Sequence, residues 1–167
     1  MTGYRLPSIW LFCLICCLAI GCSRSQKPLQ IGESIPDISL PDVEGRRMAM
    51  PSSLRGKVVL IHFWADWCPS CLKELEGSKR LVERYRSEGL VILAINLKQS
   101  PQEIADWVER LALNYPVLFD RDGRLAGRFG VTGLPTGYLI DRQGRLRQRI
   151  LGEMQPTQWE QLVEKML

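Results

Sequence analysis

The chain is poor in the residues that staple a fold or ligate a metal. Of its six cysteines, Cys13, Cys16, Cys17 and Cys22 crowd the first 22 positions, and only Cys68 and Cys71 follow. That excludes a small domain framed by disulfides, which needs several bridges to make up for a thin core. There is one histidine, His62. Two cysteines and one histidine fall short of the four ligands of a structural zinc site, so no metal is expected. Long runs of one charge are missing too. The net charge is +4 and the arginines are scattered, alternating with acids elsewhere. A solvated surface accounts for them, and no nucleic-acid partner is expected. No long repeat is present. With 167 residues, 46% hydrophobic and 24% charged, the composition is that of an ordinary globular domain with a substantial core.

The apolar start is also shorter than a membrane span. Arg5 is the only charge before Arg24, and Leu6 to Gly21 is almost wholly apolar. A short basic start, an apolar core and small residues are the layout of a secretory signal. A full span needs about 20 apolar residues. Ala19-Ile20-Gly21-Cys22 resembles a bacterial lipobox, in which the cysteine is lipidated and begins the mature chain; Ala19 stands where leucine is usual. An uncleaved anchor and plain secretion are the alternatives, and all three export the domain. Residues 1–22 are read as signal with lipidation at Cys22. Residues 23–30, polar with one proline, are read as a tether, and residues 31–167 as the domain.

Within the domain, Pro41 to Gly45 is turn chemistry between two short apolar-patterned stretches, which predicts an N-terminal hairpin. Val58 to Phe63 and Leu90 to Asn96 are apolar, β-branched runs of the kind buried in a sheet. Leu72 to Tyr85 has helical spacing, interrupted by Gly77. Pro101 to Leu113 reads as a helix capped by Ser100, with Ile104, Trp107, Val108 and Leu111 inward. A short strand at Val117 to Phe119 and a short helix at Leu125 to Phe129 follow. Tyr138 to Ile140 and Leu146 to Leu151 flank the turn Asp141-Arg142-Gln143-Gly144. Pro156 to Leu167 closes the chain as a helix with Trp159, Leu162, Val163 and Met166 on one side. The order β-hairpin, β, α, β, α, β, α, β, β, α predicts an α/β domain. Its mixed central sheet is partly parallel, carries an antiparallel hairpin at one edge and is flanked by helices.

Trp64-Ala65-Asp66-Trp67-Cys68-Pro69-Ser70-Cys71 lies where a buried strand ends and a helix begins. A helix N-terminus offers free N–H groups and partial positive charge, which stabilise a thiolate. Cysteines three apart on a first turn are also close enough to bond. A structural bridge over two residues would restrain the unfolded chain little, and a zinc half-site lacks ligands. Redox chemistry is favoured.

A second stretch, Val131-Thr132-Gly133-Leu134-Pro135-Thr136, stands about 60 residues on, at a strand start. With Trp-Cys-x-x-Cys upstream, it resembles the thioredoxin fold, in which the proline at this place is cis and faces the cysteine pair. The N-terminal hairpin, the Phe63 to Cys68 run and the inserted segment Ser100 to Phe119 are similar to the membrane-anchored, extracytoplasmic TlpA/ResA-like thiol:disulfide oxidoreductases. The resemblance implies that Cys68, the exposed cysteine, attacks a substrate disulfide and that Cys71 resolves the mixed disulfide. Trp67, Pro69, Leu134 and Pro135 would contact substrate. Glu74 matches an acid of this branch and would accept the Cys71 proton. The redox disulfide Cys68–Cys71 would be the only cofactor. His62 stands where thioredoxins carry a buried, proton-moving aspartate. It could do similar work, but a core residue bonded to a backbone group is the favoured reading.

Substrates would be disulfides of exported proteins, with apocytochrome c as one candidate. Electrons would pass to or from a membrane partner, and the chain would act as a monomer. Oxidation or isomerisation of disulfides on the same fold is the alternative function. A thiol peroxidase lacks its Thr-x-x-Cys setting here, and a copper or haem carrier lacks further ligands.

Overall fold

The computed structural model describes residues 27–167. The expected signal and the lipidation site at Cys22 lie outside the described residues. A hairpin of β1 (Ile38–Pro41) and β2 (Arg47–Met50) precedes the central strand β3 (Val58–Trp64). There follow α1 (Pro69–Tyr85), β4 (Leu90–Leu97), α2 (Ala105–Leu111), β5 (Val117–Asp120) and α3 (Arg124–Phe129). The chain ends with β6 (Thr136–Ile140), β7 (Leu146–Leu151) and α4 (Pro156–Glu164). This is the succession that the hydrophobic pattern predicts.

The five-stranded sheet has the order β5-β4-β3-β6-β7. β3 and β4 run parallel, as do β4 and β5; β6 is antiparallel to both β3 and β7. β3 is buried at all seven positions because both faces of the sheet are covered. Its side chains alternate between two cores, as the two-residue period of a strand dictates. Val58, Leu60 and Trp64 join Leu75 of α1 and Trp159 of α4 on one face. Val59, Ile61 and Phe63 join the hairpin residues Leu40 and Met50 and Phe129 of α3 on the other. His62 therefore points into the first of these layers, in line with Leu60 and Trp64.

Two hairpin turns are built by the same device. Asp42 Oδ1 accepts the N–H groups of Glu44 and Arg46, both at 2.9 Å. Asp141 Oδ1 likewise accepts those of Gln143 and Arg145, both at 2.9 Å, and Oδ2 accepts Arg147 Nε at 2.6 Å. In each turn a glycine at left-handed φ follows three residues after the aspartate: Gly45 at 80° and Gly144 at 78°.

Burial lifts the Asp141 carboxyl, but the Arg145 N–H, the Arg147 guanidinium and the Gln143 N–H outweigh it and hold the group below its ordinary value. A depressed carboxyl contributes stability that is present above about pH 4, the value of an unfolded aspartate, and is lost as pH falls through the lower folded value. Asp141→Asn should therefore lower stability at pH 7 and change it little at pH 2, as read by urea unfolding at the two values.

Several boundaries differ from the sequence pattern; α1, for one, begins at Pro69 and not at Leu72. The helix expected over Pro101 to Leu113 begins at Ala105. Ser100 and Glu103 exchange hydrogen bonds, Ser100 N–H to Glu103 Oε2 at 2.5 Å and Glu103 N–H to Ser100 Oγ at 3.3 Å. They close a separate turn that delivers Ile104, fully buried, to the core. The helix expected to run to Leu167 ends at Glu164. Gly77, which weakens α1 intrinsically by about 1 kcal/mol, has a packing reason: a Cβ there would lie 2.7 Å from Pro156 Cγ, where α4 begins.

Candidate active site

The chain leaves β3 at Trp64 and enters α1 at Pro69; the intervening turn places Cys68, and the first turn of α1 places Cys71. Cys68 is the N-cap of α1 with extended backbone, and Pro69 occupies the first helical position, where its missing N–H costs nothing. Cys68 and Cys71 are joined as a disulfide with Cα atoms 5.3 Å apart. The Cys71 N–H donates to Cys68 Sγ at 3.3 Å, and Ser70 Oγ lies 3.7 Å from the same sulfur. When the pair is reduced, these donors and the positive end of a 17-residue helix favour charge on Cys68.

Cys68 is less open than its expected role suggests: it is 5% exposed in the disulfide, and Cys71 1%. The difference still makes Cys68 the outer sulfur. Trp67 beside it is 69% exposed, the barest large apolar side chain among the described residues, and Pro69 is exposed as well.

The second expected stretch arrives from the other side of the sheet. Phe63 pairs with Thr136, so the start of β6 lies at the end of β3 from which the disulfide turn departs. The Leu134–Pro135 peptide is cis. Leu134 is half-buried and packs against the core layer that contains both cysteines, and Pro135 is buried. The Pro135 carbonyl accepts the Gly152 N–H at 2.9 Å, tying this turn to the end of β7. Leu151, paired with Thr136 and 63% exposed, adds an apolar side chain next to the turn that its strand pattern alone does not single out.

Glu74 stands one turn along α1 from Cys71 and is buried, 5% exposed. Its Oε1 accepts Trp159 Nε1–H at 2.9 Å and the Met154 N–H at 3.0 Å. Its Oε2 lies 3.5 Å from His62 Nδ1. Burial pushes the carboxyl up, but His62, Trp159 and the Met154 N–H outweigh it and leave the group below the ordinary glutamate value. His62 is bonded to a side chain, not to the backbone group expected of it: Nε2 meets Ser78 Oγ at 3.0 Å. Sequence reasoning missed Ser78, Met154 and the bonding role of Trp159. The spacing of Glu74 and Ser78, four apart on one helix face, is a signal that could have found the first. Trp159 and Met154 come from some 80 residues away and leave no local trace.

Among the described residues no group of three or more His, Cys, Asp or Glu side chains is placed to hold a metal ion. The arrangement is a buried disulfide at a helix start, in a core layer against which Leu134, the residue before a cis proline, packs, with the exposed Trp67 next to it in the chain. That geometry suits exchange with a disulfide of another chain.

The AhpC/TSA family model matches residues 31–149. The chain belongs to the AhpC/TSA family, whose fold here is thioredoxin-like. Thiol-disulfide oxidoreductase ResA of Bacillus cereus is 30% identical over 171 residues, covering 99% of this chain and 98% of that one. ResA of Geobacillus thermodenitrificans is 34% identical over 134 residues, covering 80% and 76%. A crystal structure assigned as thiol:disulfide interchange protein DsbE from Chlorobium tepidum superposes with a TM-score of 0.74 at 29% identity, covering 82% of this chain and 95% of that one. The protein is a thiol-disulfide oxidoreductase of this type, with Cys68–Cys71 as its Cys-x-x-Cys disulfide.

Proposed function

We propose that the protein reduces disulfides of exported proteins, with apocytochrome c cysteines as one candidate substrate, while held at the membrane by a lipidated Cys22. The observation that carries the reading is the asymmetric pair at the start of α1: an outer Cys68 flanked in the chain by the exposed Trp67 and Pro69 and sharing a core layer with Leu134, and an inner Cys71. In the reduced enzyme the Cys68 thiolate attacks a substrate disulfide. Its electron pair forms the mixed disulfide, and one substrate sulfur leaves as a thiolate. Cys71 loses its proton and attacks Cys68 Sγ, and the second substrate sulfur departs with the electrons. Two electrons pass to the substrate, its two sulfurs each take a proton, and the enzyme is left as the disulfide. A membrane electron donor restores the dithiol.

Trp67 and Leu134 would offer flat apolar contact to the chain flanking the substrate cysteine, and Glu74, one helical turn on from Cys71, is the proposed acceptor of the Cys71 proton. Proline after the first cysteine and serine before the second support the reducing direction, since both are seen in reducing relatives. The working unit is a monomer in this reading. Cys71→Ala should accumulate a mixed disulfide between Cys68 and its partners, seen as a reductant-sensitive adduct on non-reducing gels. Full turnover by Cys71→Ala would overturn the two-cysteine mechanism.

A further inference from the structure

On the disulfide's side of the sheet, His62 and Glu74 are buried in a largely apolar layer. His62, 2% exposed, lies on the helix-covered face of β3. Counting protons fixes what each of its ring atoms does. The Ser78 hydroxyl has a single proton and donates it to the Glu74 carbonyl at 2.9 Å. At Ser78 the ring must therefore donate, so Nε2 carries a hydrogen. That leaves Nδ1 facing Glu74 Oε2 at 3.5 Å with no closer partner. A neutral ring beside an ionised carboxylate would set two buried acceptors against each other, an arrangement that burial penalises. One proton between them removes the conflict, as imidazolium with carboxylate or as imidazole with carboxylic acid. Oε1 is already supplied with two donors, so Oε2 is the oxygen that needs it.

We infer that His62 and Glu74 act as one unit holding a single proton behind the Cys68–Cys71 pair, and that His62 is a positioning residue for the exchange reaction through the charge it removes from beside Cys71. The inference rests on the reading of Cys71 as the resolving thiol. The groups facing the unit come from four places. Cys71 lies on α1 with Glu74. The Trp159 ring and the Met154 N–H come from α4 and the loop before it, with the ring edge-on to His62 at 5.3 Å between centroids. Tyr115 precedes β5, and its hydroxyl is committed to the Leu75 carbonyl at 2.5 Å. Burial, and then Glu74, push the Tyr115 hydroxyl well up, so it stays neutral and takes no part in the sharing.

At rest the unit carries no net charge, and it takes the Cys71 proton without ever presenting an anion to the thiolate. Without His62, the two donors at Oε1 hold Glu74 as a bare buried anion one helical turn away. A like charge there opposes the thiolate.

The test uses the tag-free full chain, whose only histidine is His62, so its ring nitrogens are read by 15N NMR without assignment. In the disulfide form at pH 7, Nε2 should show a bonded proton and Nδ1 a protonated or shared signal; in Glu74→Gln, Nδ1 should move to the value of a free acceptor. A free-acceptor Nδ1 in the unaltered protein overturns the inference. This reading needs no histidine variant, so a misfolded His62→Gln leaves it intact.

In His62→Gln, thiolate titration should place Cys71 about one pH unit higher, with resolution of a preformed mixed disulfide about tenfold slower at pH 7. If Cys71→Ala traps the mixed disulfide while His62→Gln resolves it at the unaltered rate, the inference alone fails. If Cys71→Ala traps nothing, the resolving role fails and takes the positioning role with it.

Discussion

Cys68→Ser should abolish the reduction of insulin disulfides by dithiothreitol-charged enzyme, with turnover falling about a thousandfold or more, the scale seen when a covalent nucleophile is removed. Outside the first 22 residues there is one other sulfur nucleophile, Cys71, and it is 1% exposed. It belongs to the same apolar layer as Leu75 and Trp159, and that burial shields it from a substrate disulfide. Serine keeps nearly the same volume and is among the best N-cap residues, so α1 should keep its start and the far-ultraviolet circular dichroism should not change. The loss would then be chemical. Residual turnover above a tenth of the unaltered rate would mean that Cys71 is reached directly and that the assignment of outer and inner sulfur is wrong.

Gly137→Ala should produce a large loss of stability, since among the described glycines a Cβ there would meet the closest neighbour. Gly137 sits on β6 directly across from His62 of β3. The Trp159 ring lies on it so closely that a Cβ would fall inside van der Waals contact of ring atoms Cζ2 and Cη2. Trp159 is 1% exposed and packed within the core. Overpacking of this kind costs typically 1–3 kcal/mol. A displaced ring also loses its bond to Glu74, and a buried acceptor stripped of a donor adds about 1–3 kcal/mol. Together they predict a loss of about 2–6 kcal/mol, and at about 2–4 °C per kcal/mol for a chain of this size the melting temperature should drop by roughly 4–24 °C. A melting temperature within 2 °C of the unaltered protein would mean that Trp159 does not rest on this strand.

Much of this architecture is legible in the sequence, for physical reasons. Val58 to Phe63 and Leu90 to Asn96 are buried on both faces, so they are apolar at every position and stand out without alternation. Asp-x-x-Gly marks the turn at Asp141 because its side chain mimics a backbone acceptor and its glycine takes positive φ. Cys68, Pro69 and Cys71 are readable because a helix start needs a cap, tolerates proline and stabilises a thiolate. The paired turn at Leu134-Pro135 is legible only through resemblance, since nothing local brings residue 135 to residue 68.

What was not legible is of that same long-range kind. His62 looks like a misplaced polar residue until Ser78 and Glu74 from α1 close around it. Gly77 and Gly137 look like weak points in a helix and a strand until Pro156 and Trp159 from the far end of the chain occupy the space a side chain would take. The start of α2 failed locally instead. Ser100 and Glu103 satisfy each other in a turn of their own, and a capping signature was mistaken for the first turn of the helix.

The central claim is that Cys68–Cys71 is a working reductant at the start of α1. Its most direct test is the reduction potential of that pair, from equilibration of the purified protein with defined dithiothreitol or glutathione buffers and thiol counting. A working reductant should show a value near that of thioredoxin, about −270 mV. A value near −120 mV, where the reduced form is strongly favoured and the pair oxidises its partners, would contradict it.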